Sequence, residues 1–235
     1  MGRTYYIYDD SGYYKDEVPA HPVDISVFRM GATPVTVGMW REYLRANTTL
    51  SMPEAPTWGW IDSHPMVNVS WDNIVGTDGK GGYRAWASRV SGVKLSLPTE
   101  AQFEFAARGG KDQKYPWGKE FVDSKVWSSE KRQRSSTAPV DRLNNVFINK
   151  FGVCDLSGNV WQWCMDGDQP YSKSFNRLGY ARVSKDPVGI GQSKCVRGGS
   201  WFDDTPDVFR CANRYRRDQD AIDYILGFRL SAGSL

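Results

Sequence analysis

The sequence predicts a loop-rich α+β fold, and three observations carry that expectation. Capped helical patterns are confined to the first half of the chain, between residues 36 and 110. Beyond residue 111 no long helical period recurs, and short apolar runs are separated by Gly, Pro, Asn and Asp, as in strands joined by turns. The 10 Trp, 12 Tyr and 23 Gly in 235 residues supply large buried rings together with backbone able to turn tightly.

In chain order, residues 1–30 hold Tyr, Ile, Val and Phe runs with partial alternation, as in ISVFRM, and read as strands and turns. Thr36 can cap a helix over VGMWREYLRA, in which Val37, Trp40, Tyr43 and Leu44 share one face and point to the core. A second helix is expected after Ser70 in SWDNI and resumes at YRAWASRV. The glycines of GTDGKGG between them make a loop that projects into solvent. A third follows Thr99, where Gln102 stands three residues on in a capping-box pattern and Gly109-Gly110 stops the helix; Phe103, Ala106 and Ala107 pack inward. KRQRSSTAP (131–139) is polar enough for a surface loop, and the whole chain is expected to form one domain.

Composition excludes several function classes. Hydrophobic residues at 40% and charged residues at 24% suit a globular core rather than disorder, and no run approaches the roughly 18 apolar residues of a membrane helix. The formal charge is +3 with the two signs interleaved, so no phosphate-binding stripe stands out and nucleic acid is not an expected partner. Met1 to Asp10 lack the basic start and apolar core of a secretory leader. The compartment stays open, a cell or virion surface included. Cysteines at 154, 164, 195 and 211 are few for a disulfide scaffold and show no metal-ligand spacing; buried thiols are the simpler reading, two disulfides the other. His21 and His64 each precede a proline and read as turn residues. Nucleophile elbow, Gly-rich phosphate loop and HExxH are all missing.

Seven spans in order, PMVNVSW (65–71), LSLPTEAQFEFAARGG (95–110), YPWG (115–118), TAPVD (137–141), GVCDLSGNVWQW (152–163), VRGGSW (196–201) and GFRL (227–230), resemble the formylglycine-generating-enzyme family. The resemblance covers roughly residues 30 to 230 and implies that family's large, irregular variant of the C-type lectin fold. Within these spans Trp71, Trp117, Trp161, Trp163 and Trp201 are expected to pack rather than form a binding box.

The same resemblance implies an oxidase whose copper is held by two cysteines, but the matching counts land on Asp203 and Val208. A carboxylate and an alkyl group do not replace two thiolates on a soft copper ion. The related sulfoxide synthases take His ligands from an N-terminal bundle that has no counterpart in this sequence. A formylglycine-generating or sulfoxide-synthase-type oxidoreductase, or an accessory protein with a degenerate site, is therefore the alternative reading.

The preferred reading comes from a second branch of the fold, the variable proteins of diversity-generating retroelements, which rewrite residues near the C-terminus by adenine-directed mutagenesis. Residues 196–230 are similar to their variable region: fixed-looking Arg197, Arg210, Asn213, Arg214 and Phe228 alternate with a chemically mixed set. Randomising the adenines of an Asn codon never gives Lys, Glu, Gln, Met or Trp. Between Phe202 and Leu226 there is no Lys, Glu, Met or Trp, where ordinary usage gives roughly three or four in such a stretch; only Gln219 departs from the rule. The candidate binding residues are Phe202, Asp203, Asp204, Val208, Tyr215, Arg217, Asp220, Ile222, Asp223, Tyr224 and Ile225, a mixture of aromatic anchors and short polar groups like a paratope. Ile222 and Ile225 also read as buried strand residues.

The resemblance further implies a structural calcium site at Asp155, Gly158, Val160 and Gln162. Gln162 puts a neutral amide where the family has a carboxylate, which weakens or abolishes the site. A second family calcium position falls on Lys125-Val126, where a cation argues against metal, and no lectin tripeptide for calcium-borne sugar is present. The expected protein is a non-enzymatic binder of a protein or other cell-surface macromolecule, a monomer or small homo-oligomer, with no cofactor beyond that calcium.

Overall fold

The computed structural model of the protein describes residues 15–18, 20, 23–77, 81–129, 135–140, 149–168, 170–171, 184–185 and 192–233. His21, the tip of the GTDGKGG loop at 78–80 and residues 131–134 lie outside them, while Thr137 and Ala138, expected in a surface loop, are buried.

Among the described residues four α-helices form where the sequence predicts them, three of them behind a side-chain N-cap. Helix α1 (Val37–Ala46) starts at Thr36, whose side chain accepts the Met39 N–H. Helix α2 (Trp71–Val75) opens with a reciprocal Ser70/Asn73 capping box, and the next helix, α3 (Gly82–Ser91), ends at Gly92 in the left-handed region. Helix α4 (Glu100–Arg108) carries the expected Thr99/Gln102 box and stops at Gly109 with φ of 61°. Each box satisfies two backbone N–H groups that the first turn otherwise leaves unpaired.

Among the described residues the strands make three small sheets. In one, β2 (Phe28–Met30) and β3 (Leu95–Ser96) flank β9 (Ser231–Gly233), so a segment near residue 30 pairs with the chain's far end. A second pairs β1 (Val23–Asp24) with β5 (Ser184–Lys185) in parallel. The third, which positions the site, has the order β7 (Arg214–Asp218), β6 (Ser193–Arg197), β4 (Trp161–Gly167), β8 (Leu226–Gly227). Within it β4–β8 is parallel, the other pairs are antiparallel, and the β4–β6 register shifts between Trp163 and Gly167.

Helices and central sheet share one apolar core. Trp40 of α1 stacks on Tyr83 of α3 at 5.2 Å, and both meet Phe228 edge-on. The indole N–H groups of Trp71 and Trp163 donate to the carbonyls of Cys164 and Val69, which lets two large rings be buried without orphaning a donor. Trp71, Trp161, Trp163 and Trp201 are buried as expected, and Trp117 is half-buried against Tyr115. Leu44, expected on the core face of α1, is only partly buried. All four cysteines are thiols, three of them buried.

Candidate functional site

The C-terminal segment is anchored by buried charge. Arg214 grips both oxygens of Glu100 at 2.8 Å, and Arg197 bridges Glu100 and Glu104 at 2.9 Å each. Arg108 completes the chain on Glu104 at 2.8 Å. Arg210 makes a bidentate pair with Glu17 at 2.6 and 2.7 Å. Burial alone raises a carboxyl pKa, but the guanidinium groups of Arg197 and Arg108 outweigh it and hold Glu104 below its usual range. These pairs tie β6 and β7 to α4 and to the segment around Glu17.

Above this framework lies a connected patch. Phe202, Tyr215 and Tyr224 are exposed at 57%, 48% and 42%, each resting on a buried ring. Trp161 lies 5.7 Å from the Tyr215 ring, and Trp201 lies 5.6 Å from Phe202 and 5.9 Å from Tyr224. Trp58 adds an edge-on contact to Trp201 at 5.3 Å and to Tyr224 at 6.1 Å. Arg217 spreads over the Tyr215 ring at 4.7 Å and stands 3.9 Å from Asp223. Asp204, Asp220 and Ile222 are exposed, Ile222 at 62%.

The remaining members of the candidate set are held by the scaffold. Asp203 accepts from the Ser200 backbone N–H at 2.8 Å and hydroxyl at 2.6 Å, and from the Trp161 side chain. Burial raises its pKa against the lowering effect of those bonds. Asp223 accepts the Ile225 N–H at 3.1 Å and, through its carbonyl, the Asn68 N–H. Val208 and Ile225 are half-buried and pack against the main core. Of the two isoleucines with a strand reading, Ile225 is thus inward and Ile222 is not.

Trp58 was not legible as a member of the patch, because it lies far from 202–226 in the chain and carries no spacing signal. Neither was the burial of Glu100 and Glu104, whose partners Arg197 and Arg214 lie far along the chain from α4. His64, at a turn as expected, is buried with its Nδ1 2.9 Å from the Thr137 hydroxyl.

The implied calcium ligands meet a guanidinium instead. Arg229, fully buried, donates to Gln162 Oε1 at 2.5 Å and to the carbonyls of Cys154 and Asp155 at 2.6 and 3.1 Å. Gln162 Nε2 donates to the Asp155 carbonyl at 2.6 Å, Asp155 Oδ2 accepts from Asn159, and the Gly158 carbonyl accepts the Val160 N–H. Burial lowers the Arg229 pKa to about 10, against the pull of Asp155, so it stays charged at neutral pH. With the amide oxygen occupied and a cation beside it, these residues do not fit a divalent ion.

Burial raises the pKa of the Cys164, Cys195 and Cys211 thiols, the last to about 12. Among the described residues no three His, Cys, Asp or Glu side chains are grouped to hold a metal, and no helix is long and apolar enough to cross a membrane.

Residues 2–232 match the sulfatase-modifying factor enzyme 1-like domain family. The chain belongs to that family. Within it, the formylglycine-generating enzyme of Thermomonospora curvata is 32% identical over 203 residues, covering 78% of this chain and 61% of that protein. Serine/threonine-protein kinase pkn1 of Chlamydia pneumoniae is 29% identical over 239 residues; the match takes in 92% of this chain, which spans 34% of that relative's length. Among solved structures, Treponema denticola variable protein 1 superposes with a TM-score of 0.71 at 21% identity, covering 95% of this chain and 90% of that one. The fold is the α+β, C-type lectin-like one of the formylglycine-generating-enzyme type, with few helices.

Proposed function

We propose that this chain is a non-catalytic ligand-binding protein that presents residues 202–226 as an exchangeable recognition face, in the manner of the variable proteins of diversity-generating retroelements. The observation that supports it is the patch: Phe202, Asp203, Tyr215, Asp223 and Tyr224 gather around Trp161 and Trp201 while the ion pairs of Arg197, Arg210 and Arg214 bear the fold beneath. Exposed aromatic rings on a rigid floor give contact area at low entropic cost, and nearby Asp and Arg side chains add adaptable polar contacts. The partner is a protein or another macromolecule on a cell surface, and the chain acts from the surface of a cell or virion.

The likeness to variable protein 1 agrees with such a scaffold, whereas membership of a family that includes formylglycine-generating enzymes keeps an oxidase as the competing reading. Against the oxidase, the resemblance puts Asp203 where a copper thiolate is required, and that carboxylate is engaged by Ser200 and Trp161. Deep sequencing of the gene across isolates, together with any near-identical template repeat nearby, tests the proposal. Differences concentrated at template adenines within 202–226 support it. Uniform drift along the chain, or copper-dependent oxidation of a cysteine-containing peptide by the purified protein, overturns it.

A further inference from the structure

Strand pairing sets two of the four thiols against each other. Gln162 of β4 sits opposite Arg197 of β6 and Trp163 opposite Val196, so the next step along this antiparallel pair places Cys164 across from Cys195. Side chains alternate across a sheet. Trp161, Trp163 and Val196 therefore enter the main core, whereas Cys164 and Cys195 share the other face, both fully buried in one cluster with Phe103, Ala106 and Ala107 of α4. Directly opposed residues of an antiparallel pair hold their Cβ atoms about 4.5–5.5 Å apart and a disulfide spans about 3.5–4.5 Å, so closure takes a movement on the order of 1 Å. Strand β4 has the slack for it. Its register shifts just past Cys164, where the four steps from Trp163 to Gly167 pair with only two from Val196 to Lys194. The thiols also give up little on bonding, because the Cys164 Sγ–Gln162 carbonyl and Cys195 Sγ–Gly167 carbonyl contacts are long, at 3.9 and 3.5 Å. Arg214 Nη2 donates to Cys195 Sγ at 3.4 Å, and a disulfide sulfur still accepts. Cys211 shares the cluster but lies outside this strand pair, and Cys154 is half-buried elsewhere.

We infer that Cys164 and Cys195 are a covalent modification site: a dithiol in reducing surroundings that closes to a cross-strand disulfide in oxidising ones. The oxidant is a small-molecule disulfide such as oxidised glutathione. One cysteine, as thiolate, displaces a glutathione from it, and the second displaces the other glutathione from the mixed disulfide. One S–S bond forms for the one broken, the two glutathiones leave as thiolates that take up the two cysteine protons, and the electron pair given up by the cysteines reduces the oxidant. Burial raises both thiol pKa values, so exchange is slow in the closed fold and proceeds when this part of the chain opens or as it first folds. The bond fastens β4, whose Trp161 carries the Tyr215 ring, to β6, whose Arg197 holds Glu100 and Glu104. It thus reinforces the floor of the patch from the side away from it. This inference does not depend on 202–226 being exchangeable.

The test equilibrates the purified full-length chain with oxidised glutathione at a urea concentration below the unfolding transition, with dithiothreitol in a parallel sample, then alkylates free thiols and maps the peptides by mass spectrometry. The oxidised sample is expected to yield one cross-linked pair holding Cys164 and Cys195, with Cys154 and Cys211 outside any link within the chain. Because the bond closes a loop of roughly 30 residues, the oxidised protein should melt roughly 5–10 °C above the reduced one and fall back when dithiothreitol is added. In Cys164→Ala and in Cys195→Ala that difference between the two conditions disappears, whatever the substitution does to the melting temperature itself. Four alkylated thiols, glutathione adducts with no link within the chain, or a link that takes Cys154 or Cys211 overturns the inference, and the wild-type map decides this even if a variant fails to fold. A Cys164–Cys195 link that leaves the melting temperature unchanged overturns its role as a staple. Variation among isolates at 202–226 bears on the exchangeable face alone, so the two readings fail separately.

Discussion

Replacing Arg214 with alanine leaves the buried Glu100 carboxylate with Arg197 as its one remaining guanidinium and one oxygen without its bond, whereas replacing its neighbour Tyr215 removes a ring that is half in solvent. The first change is expected to cost about 3–5 kcal/mol in urea denaturation and the second under about 1 kcal/mol. Two carboxyl groups titrate with opposite sign. Because Glu104 has its folded pKa below the unfolded value, its contribution to stability is complete above the ordinary carboxylate pKa and disappears as pH falls through the folded one. Asp203 has its folded pKa raised, so its protonated form favours the fold, and that gain is lost as pH climbs through the folded value. Thermal melts at descending pH should therefore show the wild type gaining on Asp203→Asn and losing ground to Glu104→Gln. A constant gap in either pair contradicts the assignment.

The helices were legible because each carries its own local chemistry: Thr36, Ser70 and Thr99 at N-caps, Gly92 and Gly109 at C-caps. Thr99→Ala removes one side of the box that starts α4, the helix holding Glu100 and Glu104, and is expected to cost about 1 kcal/mol by chemical denaturation. The late strands were legible only as a class. Their pairing depends on partners distant in sequence, such as the parallel contact of Trp161 with Leu226, and no periodicity in two-residue strands encodes it. Gly199 between β6 and the patch is a third case: its φ is 72° and a Cβ there would meet Phe209 at 2.9 Å, so Gly199→Ala is expected to lose about 1–3 kcal/mol and to disturb Trp201 fluorescence. An unchanged Trp spectrum would show that the turn does not position the patch.

Across the whole molecule, the candidate face was readable as a stretch of sequence but not as a division of labour within it. Residues with similar chemistry separate in space: Ile222 faces solvent while Ile225 packs on the core, and Asp204 and Asp220 are exposed while Asp203 is bound to Ser200 and Trp161. That separation comes from long-range packing on Trp161 and Trp201, which a linear pattern does not contain. The calcium positions illustrate the same point, since only the folded chain brings Arg229 to Gln162. The account's central claim is that stability resides in the buried arginines and rings while the exposed side chains of 202–226 are free to change. Saturation mutagenesis of this segment with protease resistance as the per-variant readout tests it directly. The account predicts broad tolerance at Phe202, Asp204, Tyr215, Asp220, Ile222 and Tyr224 and sharp intolerance at Arg210, Arg214 and Leu226; similar sensitivity at both groups would contradict it.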